Sequence, residues 1–407
     1  MTVDIGARVR EYRERYGLSQ AQLGARVGRS REWVSKVENG ALVPENYRVL
    51  IDLAAVFHCR VADLTGEPLS FAPNGGPGLD LTGLRAALLP YAVLGGLPSG
   101  VTLDSDYVED LGRDATRLRR LRQQAMYSEL TAVLPELIRS TEAATRERDE
   151  DDERQRAFVA LSHVYHVAGA VAQRAGDMEL AWIATDRALT AAERGGDDQL
   201  VAIAARRVGN ALLRSGRPED AATVSLAAAR TLERSAPAMA SPEGVSVRGA
   251  LYLKAAVSMA RAGDKTEAWR LLAEAERDVD KVAPDADHAW TAYNGTNVAL
   301  HRVDVALEQG DPDDALRRAD SIDPTAFQPY LAERRSRVFV NVARAYVMRG
   351  GEDSAAVSSL LQAESIAPEE VRQQGVVRAM VQTCLRRERK TATPGLRRLA
   401  QRVGAGQ

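Results

Sequence analysis

The sequence predicts an all-α chain, with a small amino-terminal helical domain followed by an α-solenoid of helical hairpins. Three observations predict it. Aromatics make up only 5% of the 407 residues while Ala, Leu, Val and Arg abound, a composition suited to closely packed helices. Two short runs near the amino end carry helix start and stop signals on either side of a glycine-containing turn. A turn glycine then recurs at Gly176, Gly216, Gly263, Gly310 and Gly350, with spacings of 40, 47, 47 and 40.

The amino-terminal elements follow in order. Ile5, Val9, Tyr12 and Tyr16 recur at i, i+4, i+7 and i+11, which makes a first helix with one apolar stripe. Ser19 and Gln22 are spaced as a capping box, so a second helix starts there and presents Leu23 and Val27 on one face. Gly24 offers no side chain, and Gly28 ends the helix in a turn that tolerates positive φ. Ser30 is placed to cap a third helix, Val34 and Val37 face inward, and Asn39-Gly40 stops it. After Pro44, the residues Val49, Leu50, Leu53, Ala54 and Phe57 make a fourth helix, and Val61–Leu64 a short fifth. The second and third helices, joined by so short a turn, form a helix-turn-helix.

The outward face of the third helix carries Arg31, Glu32, Ser35 and Lys36 near its amino end. Such a helix fits the major groove of B-DNA amino end first. Arg31 suits guanine O6 and N7, Glu32 can accept from cytosine N4, and Lys36 can take guanine or phosphate. The run from Leu18 to Gly40 resembles the helix-turn-helix of the lambda/434 repressor-like (XRE) family, whose Leu-Ser-Gln, Leu-small, Val-Gly, Val-Ser and Glu-Asn-Gly landmarks are all in place. The resemblance covers roughly residues 1–67 and implies a compact five-helix DNA-binding domain. It places the family's phosphate-clamping glutamine on Gln20, its base-reading positions on Arg31, Glu32, Ser35 and Lys36, and the asparagine after its glutamate on Asn39. Ser30 and Trp33 complete the expected DNA-facing set. Trp33 departs from the small polar residue usual there, and its indole packs on the second helix or lies along a sugar-phosphate backbone.

Charge bounds the partners. The chain as a whole carries −2, which exerts no global pull toward nucleic acid, but residues 1–40 hold eight basic side chains against five acidic ones. Affinity for DNA grows with the number of phosphates neutralised, so one head with a net +3 is expected to bind weakly and salt-sensitively. Two heads on a two-fold site, and hence a homodimer, are expected. Cys59 and Cys384 are isolated, without metal or redox spacing, and read as reduced thiols of a cytoplasmic protein. No apolar run reaches membrane-spanning length. No nucleotide-binding loop and no Ser/His/Asp or Cys/His constellation is present, so neither catalysis nor a cofactor is expected.

Beyond the head, Glu67–Gly78 is dense in Pro and Gly and reads as an interdomain linker. The expected division is a DNA-binding domain at 1–67, a linker at 68–78, a repeat domain at 79–395 and a tail at 396–407. Asp104 is placed to cap a long helical segment through Tyr107, Leu111, Leu118, Leu121, Met126, Leu130 and Leu134, with a break or kink at Pro135. The mixed charge run Arg146–Arg154 reads as a solvated helix end and turn.

Each turn glycine of the repeat is followed five residues later by alanine, at Ala181, Ala221, Ala268, Ala315 and Ala355. Seven residues before it stands a small residue in four copies, at Gly169, Gly209, Ala256 and Ala343, with Val303 in the fourth copy instead. Ala188, Ala228 and Ala275 follow twelve residues after it. This pattern resembles the tetratricopeptide repeat, in which small residues let two antiparallel helices approach closely, although the periods exceed the usual ~34 residues. The combination of head and repeats resembles a class of actinobacterial transcription regulators and, more remotely, the peptide-sensing regulators of Firmicutes.

In the repeat family the groove-facing positions lie thirteen, ten and six residues before the turn glycine. Here their polar occupants are His163, His166, Arg206, Asn210, Asn297, Asp304, Arg337 and Arg344. Asn amides satisfy an extended peptide backbone and Arg suits a carboxylate, so Arg206, Asn210, Asn297 and Arg344 are the ligand-binding candidates. His163 and His166 have no third partner at metal-ligand spacing, and no metal is expected. The arginine-rich stretches Leu385–Lys390 and Arg397–Arg398 read as solvated helix ends. The expected function is sequence-specific, DNA-binding transcription regulation, with the repeat domain sensing a peptide, a small molecule or a protein partner. The competing expectation is a protein-interaction scaffold whose helix-turn-helix head mediates association.

Overall fold

The computed structural model describes residues 5–40, 42, 47–57, 59, 64, 79–89, 107–147, 151–285, 287–388 and 393–405. Among them are twenty-one α-helices and three short 3-10 helices, with no strand. No helix among the described residues is long and apolar enough to cross a membrane. The expected linker at 68–78 and the expected cap at Asp104 lie outside the described residues.

The head consists of α1 (Ile5–Arg15), α2 (Gln20–Arg26), α3 (Arg31–Glu38) and α4 (Tyr47–Val56). Val9, Leu23, Val34, Leu53 and Phe57 are fully buried in a core of its own. Of the expected fifth helix only Leu64 is described, and it is buried in that core. Tyr12 stacks on Phe57 with ring centroids 5.6 Å apart, which ties the first helix to the end of the fourth.

Next come α5 (Thr82–Leu88), α6 (Tyr107–Gln123) and α7 (Tyr127–Glu147). Of the break or kink expected at Pro135, the break is not there: Pro135 lies inside α7, and the chain breaks earlier, at Gln124-Ala125-Met126. Ala125 takes φ +61°, and the Met126 amide reaches back to the Leu121 carbonyl at 3.0 Å, a Schellman-type stop built on alanine rather than glycine. Pro135 is tolerated because its missing amide costs one internal bond while its ring supplies packing. A Cβ at Gly83 would meet its Cγ at 3.1 Å, so the glycine lets α5 lie close against α7.

Five antiparallel hairpins follow: α8 (Asp151–Ala175) with α9 (Met178–Arg194), α10 (Asp198–Arg214) with α11 (Pro218–Glu233), then, after the short α12 (Ala236–Ala240), α13 (Pro242–Ala262) with α14 (Lys265–Glu276), α15 (Gly295–Glu308) with α16 (Pro312–Asp320), and α17 (Ala332–Arg349) with α18 (Asp353–Ile366). Gly176, Gly216, Gly263, Gly310 and Gly350 each stand in the turn between the paired helices, at φ between +76° and +93°. Asp177, Asp264 and Asp311 directly after three of these glycines cap the second helices through their carboxylates. Small residues sit where the axes come closest. A Cβ at Gly209 would lie 2.8 Å from Ser225 Oγ, and Ala181, Ala221, Ala268 and Ala315 are buried against the partner helix. The fifth hairpin differs by one residue. Gly351 lengthens its turn, so the buried alanine is Ala356 and not the expected Ala355.

The chain ends with α19 (Pro368–Arg372), α20 (Gly375–Arg387) and α21 (Leu396–Arg402). Residues 396–405, expected to form a tail, instead pack Leu396, Leu399, Val403 and Ala405 into the same core as α18 and α20. Their apolar side of the helix outweighs the arginines that suggested a solvated end. Arg397 and Arg398 stay exposed as expected, Arg397 pairing with Glu388 at 2.8 Å, whereas Arg387 donates to the Val347 carbonyl at 3.0 Å and Arg402 pairs with Glu364 at 2.5 Å.

The solenoid returns on itself. Ala332 and Ala367 join the apolar cluster formed by Leu118, Leu134 and Leu161. The Tyr127 hydroxyl donates to Glu370 at 2.5 Å, Arg174 pairs with the same carboxylate at 2.7 Å, and the Ser128 amide donates to Glu369 at 2.8 Å. Arg120 lies 3.5 Å over the Tyr330 ring. These contacts close the solenoid into a ring, and polar side chains of α6 and of the hairpins' first helices meet inside it, as in Arg119 with His163, Arg207 with His166 and Arg337 with Asp304.

Candidate nucleic-acid interface and ring interior

The two helices of the head are set by short-range bonds. Ser19 Oγ accepts from the Gln22 amide at 3.2 Å while Gln22 Oε1 accepts from the Ser19 amide at 2.8 Å. Ser30 Oγ caps α3 by accepting from the Trp33 amide at 3.1 Å. Between them the turn folds tightly onto α2: a Cβ at Gly24 would stand 2.6 Å from the Arg29 carbonyl oxygen. Only glycine allows that approach without moving the backbone.

Glu38 locks this unit to α1. Its side chain is fully buried and accepts from Arg13 Nε at 2.5 Å, from Arg13 Nη2 at 3.1 Å and from Gln20 Nε2 at 2.9 Å, with Arg10 3.6 Å away. Burial opposes ionisation, yet the bonds from Arg13 and Gln20 outweigh it and hold the carboxyl below its ordinary range. Sequence reasoning gave Glu38 only a place in a family landmark. The available signal was a carboxylate in the last turn of a helix, where the dipole disfavours it unless a cation sits nearby.

Arg31, Glu32 and Lys36 form an exposed row on α3, with Ser35 and Trp33 half-buried beside them. Glu32 is held below the ordinary carboxylate range by its own backbone amide and by the Ser30 hydroxyl. Trp33 packs on the edge of the head core, and Arg29 lies 5.9 Å from its ring. Asn39 is exposed and oriented: its Oδ1 accepts from Arg10 Nη2 at 2.6 Å and its Nδ2 donates to Ser35 Oγ at 3.4 Å. Gln20 is half-buried, and one of its two amide hydrogens is committed to Glu38.

The four ligand-binding candidates lie on α10, α15 and α17, in different surroundings. Arg206 is half-buried on the ring interior with an unbonded Nε, and Asn210 stands one turn further along α10. Asn297 is 1% exposed, its Oδ1 unbonded and its carbonyl accepting from His301 Nδ1 at 2.7 Å. Arg344 is taken up in an ion pair with buried Glu308 at 3.0 Å, which also pairs with Arg261 at 2.9 Å. Arg337 pairs with Asp304 at 2.5 Å.

His163 and His166 each face an arginine, Arg119 at 3.3 Å and Arg207 at 3.0 Å. Burial, reinforced by those cations, lowers both, His163 to about 3, so both rings are neutral. Among the described residues no cluster of His, Cys, Asp or Glu is arranged to hold a metal. Besides Arg119 and Arg122 on α6, two cations of the interior escaped the sequence reading, Arg207 and Lys254. Both lie nine residues before a turn glycine, a position occupied in the later copies by His301 and Asn341, and reading that register would have found them.

Comparison with known proteins adds three findings. A helix-turn-helix domain profile matches residues 4–65. An uncharacterized HTH-type transcriptional regulator of Archaeoglobus fulgidus is 39% identical over 57 residues, covering 14% of this chain and 80% of that protein. The crystal structure of Bacillus thuringiensis PlcR in complex with the peptide PapR7 and DNA is similar at 14% identity and a TM-score of 0.37, covering 78% of this chain and 93% of that one.

Proposed function

The chain belongs to the helix-turn-helix transcriptional regulators, and from that premise we propose that it acts as a dimer, reads its operator with α3 and responds to a ligand held by the repeat ring. The observation that carries the DNA reading is the exposed row Arg31, Glu32 and Lys36 on a capped helix whose opposite face is buried. In the major groove Arg31 donates to a guanine and Glu32 accepts from a cytosine, while Lys36 takes guanine or phosphate. Gln20 spends one amide hydrogen on Glu38 and keeps the second for a phosphate oxygen, so the bond that orients it does not exclude the clamp. Asn39 and Ser35, already bonded to each other, complete that edge.

One weakly basic head gives a salt-sensitive complex of low affinity, and pairing two heads supplies the rest. A ligand that binds one curvature of the ring better than another changes the spacing of the heads, and only that difference in affinity can do so. The protein works by binding alone, with no catalytic step. A gel-shift titration against the chain's own upstream DNA, from about 50 mM to about 200 mM salt, tests this. Retardation with a steep loss on raising salt, and two chains per duplex by native mass spectrometry, is expected. No retardation at the low-salt end would overturn the reading and leave the scaffold in its place.

A further inference from the structure

Within the ring, positive charge exceeds what the protein neutralises. Four interior carboxylates are committed to cations: Glu308 to Arg261 and Arg344, Asp304 to Arg337, Glu370 to Arg174, and Glu333 to Arg334 at 2.7 Å. A fifth, Asp287, accepts from Gln123 Nε2 at 2.6 Å and from the Ala292 amide at 2.8 Å and offsets part of the positive charge around it. Five cations from α6, α10 and α13 remain without an ion pair to a described carboxylate: Arg119, which bonds to His163 and stacks on Trp290, and Arg122, Arg206, Arg207 and Lys254. Arg207 is 6% exposed and spends its guanidinium on neutral partners, His166 and Gln173. Arg122, Arg206 and Lys254 are half-buried, so solvent reaches them.

These cations weigh on one another. Burial lowers Arg206 to about 9, with Arg334 and Arg122 adding to the effect and Glu333 and Asp287 opposing part of it. Burial likewise lowers Lys254, with Arg337 and Arg206 adding their repulsion. Like charges gathered on half-buried side chains are stabilised by an anion placed among them.

The unsatisfied atoms say which kind. Gln173 accepts from Arg207, so its free Nε2 is a donor, and His166 accepts from Arg207 through Nε2, so its free Nδ1 carries the hydrogen. With Arg206 Nε, Arg207 Nε, Arg119 Nε and Arg334 Nε, that makes six buried donors without acceptors, against two unbonded acceptors, Gln123 Oε1 and Asn297 Oδ1. A peptide backbone brings donors and acceptors in equal number. A phosphate brings acceptors and charge, and its oxygens match guanidinium forks.

We infer that the ring interior is a binding site for a small molecule carrying two or more phosphate groups, held by Arg122, Arg206, Arg207 and Lys254. This rests on the ligand-responsive reading above and assigns the chemistry of its ligand. Neutralising the four cations pulls α6, α10 and α13 together around the anion, which is how occupancy of the interior fixes the curvature of the ring.

The test is calorimetric titration and thermal unfolding of the full chain with inorganic pyrophosphate and tripolyphosphate, with tetraglutamate as the carboxylate arm. The basic head could also attract polyphosphate, so two double variants are compared: R31A with K36A on the head, and R206Q with K254Q in the ring. Saturable binding that raises Tm is expected in the wild type and the head variant, with an affinity loss of tenfold or more in the ring variant. The ring variant is also expected to melt no lower than wild type without ligand, since it removes repelling charges. R122Q supplies an independent loss of affinity if the double variant folds poorly by circular dichroism. No binding of either phosphate, preference for tetraglutamate, or loss in the head variant alone would overturn the inference. The gel shift without added anion stands apart: retardation without pyrophosphate binding sinks this inference and leaves the regulator, and the reverse result does the opposite.

Discussion

The Tyr127 hydroxyl donates a 2.5 Å hydrogen bond to the Glu370 carboxylate across 243 positions of sequence, with both residues buried. With Arg174 on the other carboxylate oxygen, this joins the first helices of the repeat body to the last and makes a ring of what would otherwise be an open spiral. Tyr127→Phe keeps the ring of the side chain and removes the donor, leaving a buried carboxylate oxygen short of a partner. A loss of about 1–3 kcal/mol is expected from urea unfolding followed by far-ultraviolet dichroism. An unchanged midpoint would mean that the two ends are held by apolar packing alone.

Glu38→Gln tests the lock of the head. Half-buried Arg13 would lose its charged acceptor, a change worth about 1–3 kcal/mol. Limited proteolysis should then cut within residues 5–57 while the repeat body stays intact, because the two have separate cores. Cleavage indistinguishable from wild type would refute the role given to this carboxylate.

Gly209→Ala places a methyl group 2.8 Å from Ser225 Oγ, where the paired helices of the second hairpin cross. Overpacking of this kind costs about 1–3 kcal/mol. Gly295→Ala, at the start of α15 with nothing within 4 Å of the new atom, serves as the control and should leave the midpoint unchanged or slightly raised. Equal effects at the two glycines would deny the close approach.

The buried histidines predict a pH dependence. Burial pushes His163, His166 and His301 below the unfolded value, with Arg119, Arg207 and Arg337 respectively the cations that add most to it. Below about pH 6.5 the unfolded chain therefore binds more protons than the folded one, so stability is complete above that pH and declines as pH falls. Urea midpoints between about pH 7.5 and pH 5, above the range where carboxylates titrate, should show the decline. His166→Asn should make it shallower; a midpoint flat over that range would contradict the buried neutral rings.

What was legible in the sequence was local. Ser19 with Gln22, Ser30, and the run Asn39-Gly40 mark helix ends through bonds spanning three or four residues, and the structure has those ends. The turn glycines were legible because each needs positive φ. The stop at Ala125 was hidden because alanine took a place usually given to glycine, and Pro135 misled because a helix can carry proline when a neighbour packs on its ring. Closure through Tyr127 and Glu370 depends on the accumulated curvature of five hairpins, which no spacing in the chain encodes. In the interior, the register borrowed from the repeat family selected Arg206 but passed over Arg207 and Lys254. One residue of register decides whether a side chain is read as lining the ring or as packing between helices.

Arg31 is the residue on which the DNA reading turns, since it is exposed on the amino half of α3 and suited to a single base. Binding-site selection from randomised duplexes, run in parallel with wild type and Arg31→Ala, measures that directly. Wild type should select a two-fold site, and the variant should lose about 1–3 kcal/mol of discrimination at one base pair of each half-site while keeping the others. Identical preferences in the two selections would contradict it.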